Sequence, residues 1–199
     1  MTVGLETIRA AIRDRMLTVP GLGIVHAYER YAKQEKAFAD LYLHDDDAGN
    51  KRLLGWHIRR VATREFAYSS LQNRVEFDFV LRGWMALEDG RQTEILMDGL
   101  VEQLRAAWRG DPSLNGLFNA PIPDGQPVGL QLVESQPYMM GGVLCHGVRL
   151  TFTGGLLVSV EDDPAGWDDF KIFSAEWPSE HIEPGAEDEV HLPTEEPQP

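Results

Sequence analysis

With a single cysteine, Cys145, the chain has no internal disulfide and lacks the thiolate sets that most structural zinc sites need. No apolar run approaches the ~20 residues required to cross a bilayer as a helix, and no basic, then apolar, leader with a cleavage site opens the sequence. A protein made and working in solution, with no membrane partner, is therefore expected. Basic stripes are missing as well, which argues against tight duplex binding through phosphate neutralisation. Gly21-Leu22-Gly23 and Gly154-Gly155 lack the frame of a phosphate-binding loop, and both read as turns. His44-Asp45-Asp46-Asp47 lacks the alternating ligands and terminal Glu of a calcium loop, so it reads as a solvated acidic loop. His26, His57, His181 and His191 show no zinc spacing, and neither a metal nor a cofactor is expected.

Acid is plentiful but unevenly spread. The formal charge is −14, yet residues 158–199 hold thirteen Asp or Glu and only Lys171. Residues 1–157 carry 17 basic and 19 acidic side chains and are close to neutral. Six of the twelve prolines also lie after residue 158. This division predicts a domain over 1–157 and an acidic, Pro-rich extension over 158–199 whose end is disordered when free. Trp167, Phe170, Ile172, Phe173 and Trp177 interrupt the acidic stretch, which points to partial order around 165–178. They either pack back on their own domain or form an arm that docks on a neighbour.

Periodicity supplies the elements of the domain. Leu5, Ile8, Ile12 and Met16 share one helical face behind Thr2, a residue suited to capping, and Pro20-Gly21 ends the helix. A strand is expected over Gly23–Tyr31, and a polar break over 44–52. Leu54, Trp56 and Ile58 then alternate with Gly55, His57 and Arg59. Val75, Phe77, Phe79, Leu81 and Met85 alternate with charged residues, except that Trp84 falls on the polar face. Trp84 there marks either an interface or an edge aromatic shielding its own loop.

Asp89 and Gln92 resemble a capping box ahead of a helix carrying Leu96, Leu100, Gln103, Leu104, Ala107 and Trp108. Gly99 inside that helix costs ~1 kcal/mol relative to Ala and suggests a close backbone approach. Residues 111–127 form a long connection containing Pro121 and Pro123, and a segment of that length is a candidate interface. Val128, Leu130 and Leu132 then begin a strand, followed by a second strand from Val143. The order predicts an α+β domain: a mostly antiparallel mixed sheet of about four to six strands with two main helices on one face.

The run Gly141-Gly142-Val143-Leu144-Cys145-His146-Gly147-Val148-Arg149-Leu150-Thr151-Phe152-Thr153 puts Leu144, His146, Val148, Leu150 and Phe152 on one face. Cys145, Arg149, Thr151 and Thr153 take the other. Adjacent Cys145 and His146 therefore cannot act as nucleophile and base together, and a thiol enzyme would need a distant base such as His57.

Two phrases, Gly55-Trp56-His57-Ile58-Arg59 and Val143-Leu144-Cys145-His146, resemble the small bacteriophage tail terminator family. The resemblance spans roughly residues 3–157 and takes in Gly83-Trp84, the acidic turn, and the Leu-rich helix closing in Trp108-Arg109-Gly110-Asp111. Gly147-Val148-Arg149 departs from the family pattern of an aromatic followed by small and acidic residues, and the segment after 157 lies beyond the familiar domain. The resemblance implies a structural virion protein rather than an enzyme, placed at the head-proximal end of the tail and assembled in the host bacterial cytoplasm. It would form a homohexameric ring that caps the tail tube, ends its polymerisation and joins the tail to the head. Implied partners are the tail tube protein and the connector or neck proteins, with the sheath a further candidate and DNA only passing through the lumen. Another neck protein of the same fold is the nearest alternative; a small cytoplasmic enzyme or an acidic adaptor would be of a different class. Trp84, Pro121, Pro123, Trp167, Phe170, Phe173 and Trp177 are the candidate interface residues.

Overall fold

The computed structural model describes residues 4–30, 37, 40–45, 49–140 and 142–160. The expectations for the C-terminal extension, including Trp167, Phe170, Phe173 and Trp177, lie outside these residues. Helix α1 (Leu5–Leu17) buries Ile8, Ile12 and Met16 completely, as its four-residue spacing requires. Its N-cap is Gly4, with no side-chain cap, and Thr2 lies outside the described residues. Strands β1 (Ile24–His26), β2 (Leu43–Asp45), β3 (Lys51–Ala67) and β4 (Gln72–Ala86) follow, then a 3-10 turn (Asp89–Arg91) and helix α2 (Thr93–Gly110). Strands β5 (Gln131–Met140) and β6 (Val143–Ser159) complete the set.

The sheet runs β1-β3-β4-β6-β5, and β2 shares the outer edge of β3 with β1. Every pairing is antiparallel except β1 with β3. The fold is α+β: among the described residues, a mixed, mostly antiparallel six-stranded sheet with helices α1 and α2. One core cluster joins α1 and α2 to the sheet through Trp56, Ile58, Phe79, Leu81, Leu150 and Phe152. At its centre the ring of Phe152 stacks on Phe79 at 5.4 Å and meets Trp108 edge-on at 5.5 Å, arrangements worth about 0.5–1.5 kcal/mol each beyond area burial. The buried Trp56 indole donates to the Leu22 carbonyl at 3.0 Å, which fixes the turn between α1 and β1.

Several local expectations need correction. The strand expected over 23–31 holds only three paired residues, because the Tyr28 side chain is 59% exposed and the segment turns away. Asp89 does not cap α2: it begins the 3-10 turn, and the helix starts after Gln92, whose φ of 52° is left-handed. Thr93 does the local work instead, its hydroxyl accepting from the Glu88 amide at 2.9 Å. The core face of α2 is Met97, Leu100, Val101, Leu104 and Trp108, while Leu96 is half exposed. Strand β5 begins at Gln131, and Val128 lies exposed before it.

Gly154-Gly155 is not a turn. Both residues lie inside β6, opposite Phe77 and Glu76 of β4. They are small because the chain after α2 crosses above them: the Phe118 ring fills the space a Cβ on Gly154 would need, and the Ala120 amide donates to the Gly155 carbonyl at 3.1 Å. Strand β6 continues to Ser159, and the Val160 amide still bonds the Leu71 carbonyl, so the sheet extends past residue 157.

Candidate interaction surfaces

Cys145 and His146 fall on opposite faces of β6, as alternation demands. Cys145 is fully buried, and burial pushes its thiol up to about 11, so it stays protonated near neutrality. It belongs to a second, smaller cluster on the sheet face away from the helices, with Tyr42, Leu53 and Trp84. The chain around β2 lays Tyr42 across this face. Gly55 makes room for it, since a Cβ there would lie 2.5 Å from the tyrosine ring. Trp84 meets Tyr42 edge-on at 5.2 Å and is only 6% exposed. Trp84 thus sits on an interior strand under Tyr42 rather than at an edge over its own loop, and little of the indole is left for a partner.

Pro121 is exposed and Pro123 half-buried in the long connection. The first half of this connection is firmly tied. Asp111 accepts from the Ser113 hydroxyl at 2.6 Å, the Asn115 amide at 2.6 Å and the Arg15 guanidinium at 2.5 Å, while Leu114 and Phe118 enter the core. These donors hold the Asp111 carboxyl down at about 2. The exposed part of the segment is its second half, where Ile122 is 46% exposed.

Beyond the small cluster, the face away from the helices carries a row of polar residues in direct register. His57 of β3 stands opposite Arg82 of β4, Arg82 opposite Arg149 of β6, and Arg149 opposite Glu134 of β5. The His57 imidazole is buried against Trp84, with ring centres 5.0 Å apart. Burial brings its pKa down to about 4 against the raising influence of Glu29, with Arg82 and Arg59 adding to the depression. Further along the same face, Arg64 pairs with Asp78 and, at 3.2 Å, with the buried Glu76, which also takes Arg74 at 2.6 Å.

Two apolar surfaces lie apart from each other. The first is a groove of about 320 Å³ beside the N-terminal half of α2, with Leu54, Met85 and Leu100 among its apolar lining and Ile95, Leu96 and Gly99 along the helix. A Cβ on Gly99 would meet nothing within 4 Å, so the close approach expected at this glycine is not made to its own sheet. The second is the outer edge of β3 with the β3–β4 turn. From Arg59 onward the outer edge of β3 has no strand partner among the described residues, and Val61, Phe66, Tyr68 and Leu71 are about half exposed or more.

Sequence reasoning missed both surfaces. The exposure of Ile95 and the free β3 edge depend on which helical face and which strand edge the rest of the chain covers. No signal inside either segment encodes that. No protein-family model matches the chain, and no curated protein matches it.

Proposed function

We propose that this protein is a ring-forming structural component of a phage tail, a tail terminator that caps the tube and joins it to the head. The observation that carries this reading is the presence of two unlike apolar surfaces, a groove beside α2 and the exposed apolar residues of the outer β3 edge and the β3–β4 turn. Ring closure needs two different, complementary patches on each subunit, because a head-to-tail contact repeats by rotation rather than by a twofold. Seating of one subunit's β3–β4 turn against the next subunit's groove would cover exposed Phe66, Tyr68 and Leu71 with exposed Ile95 and Leu96. The resemblance of Gly55–Arg59 and Val143–His146 to tail terminators supports the same reading, as does the α+β sheet.

The test is electron microscopy of particles made when this gene is disrupted in its parent phage or prophage. Overlong tails without heads, beside filled heads without tails, are expected. Tails of normal length that fail to join heads would move the assignment to another neck component. Intact infectious particles would overturn both.

A further inference from the structure

Arg82 and Arg149 occupy directly opposed positions on neighbouring strands, and like charges so placed repel. Arg149 has Glu134 at 3.2 Å, and Arg59, nearby on the same face, has Glu29 at 3.4 Å. Arg82, between them, makes no ion pair or hydrogen bond with any described residue. Arg59, Arg82 and Arg149 line one small cavity together with Glu29, Val80 and His57. Among the described residues, three guanidiniums against the two carboxylates of Glu29 and Glu134 leave the site with a net positive charge. The cavity is about 100 Å³, space for roughly three waters and so for one compact ion rather than a nucleotide. His57 forms part of its wall at 1% exposure. The cross-strand cation pair would be relieved by an anionic guest, while the His57 ring, packed against Trp84, serves as wall rather than donor.

We infer that the cavity bounded by Arg59, Arg82, Arg149 and His57 on the sheet face away from α1 and α2 is a binding site for a single phosphate-type oxyanion. Arginine forks match tetrahedral oxyanions through paired N–H donors, and Arg82 and Arg149 offer two forks from adjacent strands of a rigid sheet. Glu29 also lines the cavity, 3.9 Å from His57 Nε2, and its charge is balanced by Arg59 at 3.4 Å. The source of the oxyanion is either free phosphate or the phosphodiester backbone of nucleic acid. The site stands independently of ring formation, because every residue comes from one chain.

The experiment is thermal denaturation and calorimetric titration of the full chain with inorganic phosphate, against sodium chloride of equal ionic strength. Phosphate is expected to raise Tm saturably, as a ligand of the native state does. Arg82→Gln is expected to weaken phosphate binding at least about tenfold, equivalent to about 1.4 kcal/mol. The same variant should melt at or above wild type when phosphate is absent, because it relieves the opposed charges. Arg149→Lys keeps the charge but loses the fork, and should bind between the two. A short duplex that binds wild type and is displaced by phosphate would assign the nucleic-acid source; a duplex that does not bind would assign free phosphate. Equal phosphate responses in wild type and both variants, or a rise no larger than chloride gives, would overturn the site.

Discussion

The Phe118 ring lies directly over Gly154, occupying the volume a side chain at that position would take. This contact clamps the connection after α2 onto β6 and completes the aromatic cluster around Phe152, 6.3 Å from Phe118. Gly154→Val should therefore overpack the core and destabilise the protein by roughly 1–3 kcal/mol. Urea unfolding would read this as a lower midpoint at unchanged slope, and an unchanged midpoint would contradict the packing argument.

Gly99 makes the opposite prediction. A Cβ there would touch no described residue, so Gly99→Ala should stabilise α2 by about 0.5–1 kcal/mol through reduced chain entropy. Where a neighbouring subunit covers the groove, the same methyl should weaken association. Denaturation together with sedimentation separates the two effects. A stabilised variant that assembles like wild type would remove Gly99 from the subunit contact.

Cys145 should be inert in the native protein. Its buried thiol has a pKa raised to about 11, so a disulfide reagent at mildly alkaline pH should label it only after unfolding. Rapid labelling of the folded chain would show that the cluster around Tyr42 and Trp84 opens readily.

Acid should destabilise the fold in two steps. His57 titrates near 4 when folded and near 6.5 when unfolded, so between these values the unfolded chain binds the extra proton. Stability from this group is complete above about 6.5 and is lost as pH falls toward 4, with an upper value on the order of 3 kcal/mol. Asp111 titrates near 2 when folded against 3.8 ordinarily, so its contribution holds above about 3.8 and is lost as pH falls toward 2. Unfolding free energy measured against pH should show both limbs. His57→Phe should flatten the first limb and Asp111→Asn the second. A His57→Phe profile that keeps the wild-type slope between pH 4 and 6.5 would refute the assignment.

The sequence alone determined the elements whose patterns are local. Ile8, Ile12 and Met16 mark a helix face in any surroundings, and the alternation through Phe79 and Leu81, or Leu150 and Phe152, marks strands, because backbone geometry sets both periods. Their order was enough for the α+β class. Only the tertiary structure decided what depends on distant residues. The parallel pairing of β1 with β3 brings residue 24 to residue 55, and no feature of either segment announces it. Gly154-Gly155 carries a turn's composition, yet the passage of Phe118 makes it strand. The Arg82–Arg149 opposition arises the same way: each arginine is an ordinary polar residue on its own strand. The 67-residue separation becomes a direct cross-strand contact only through the register of β4 on β6.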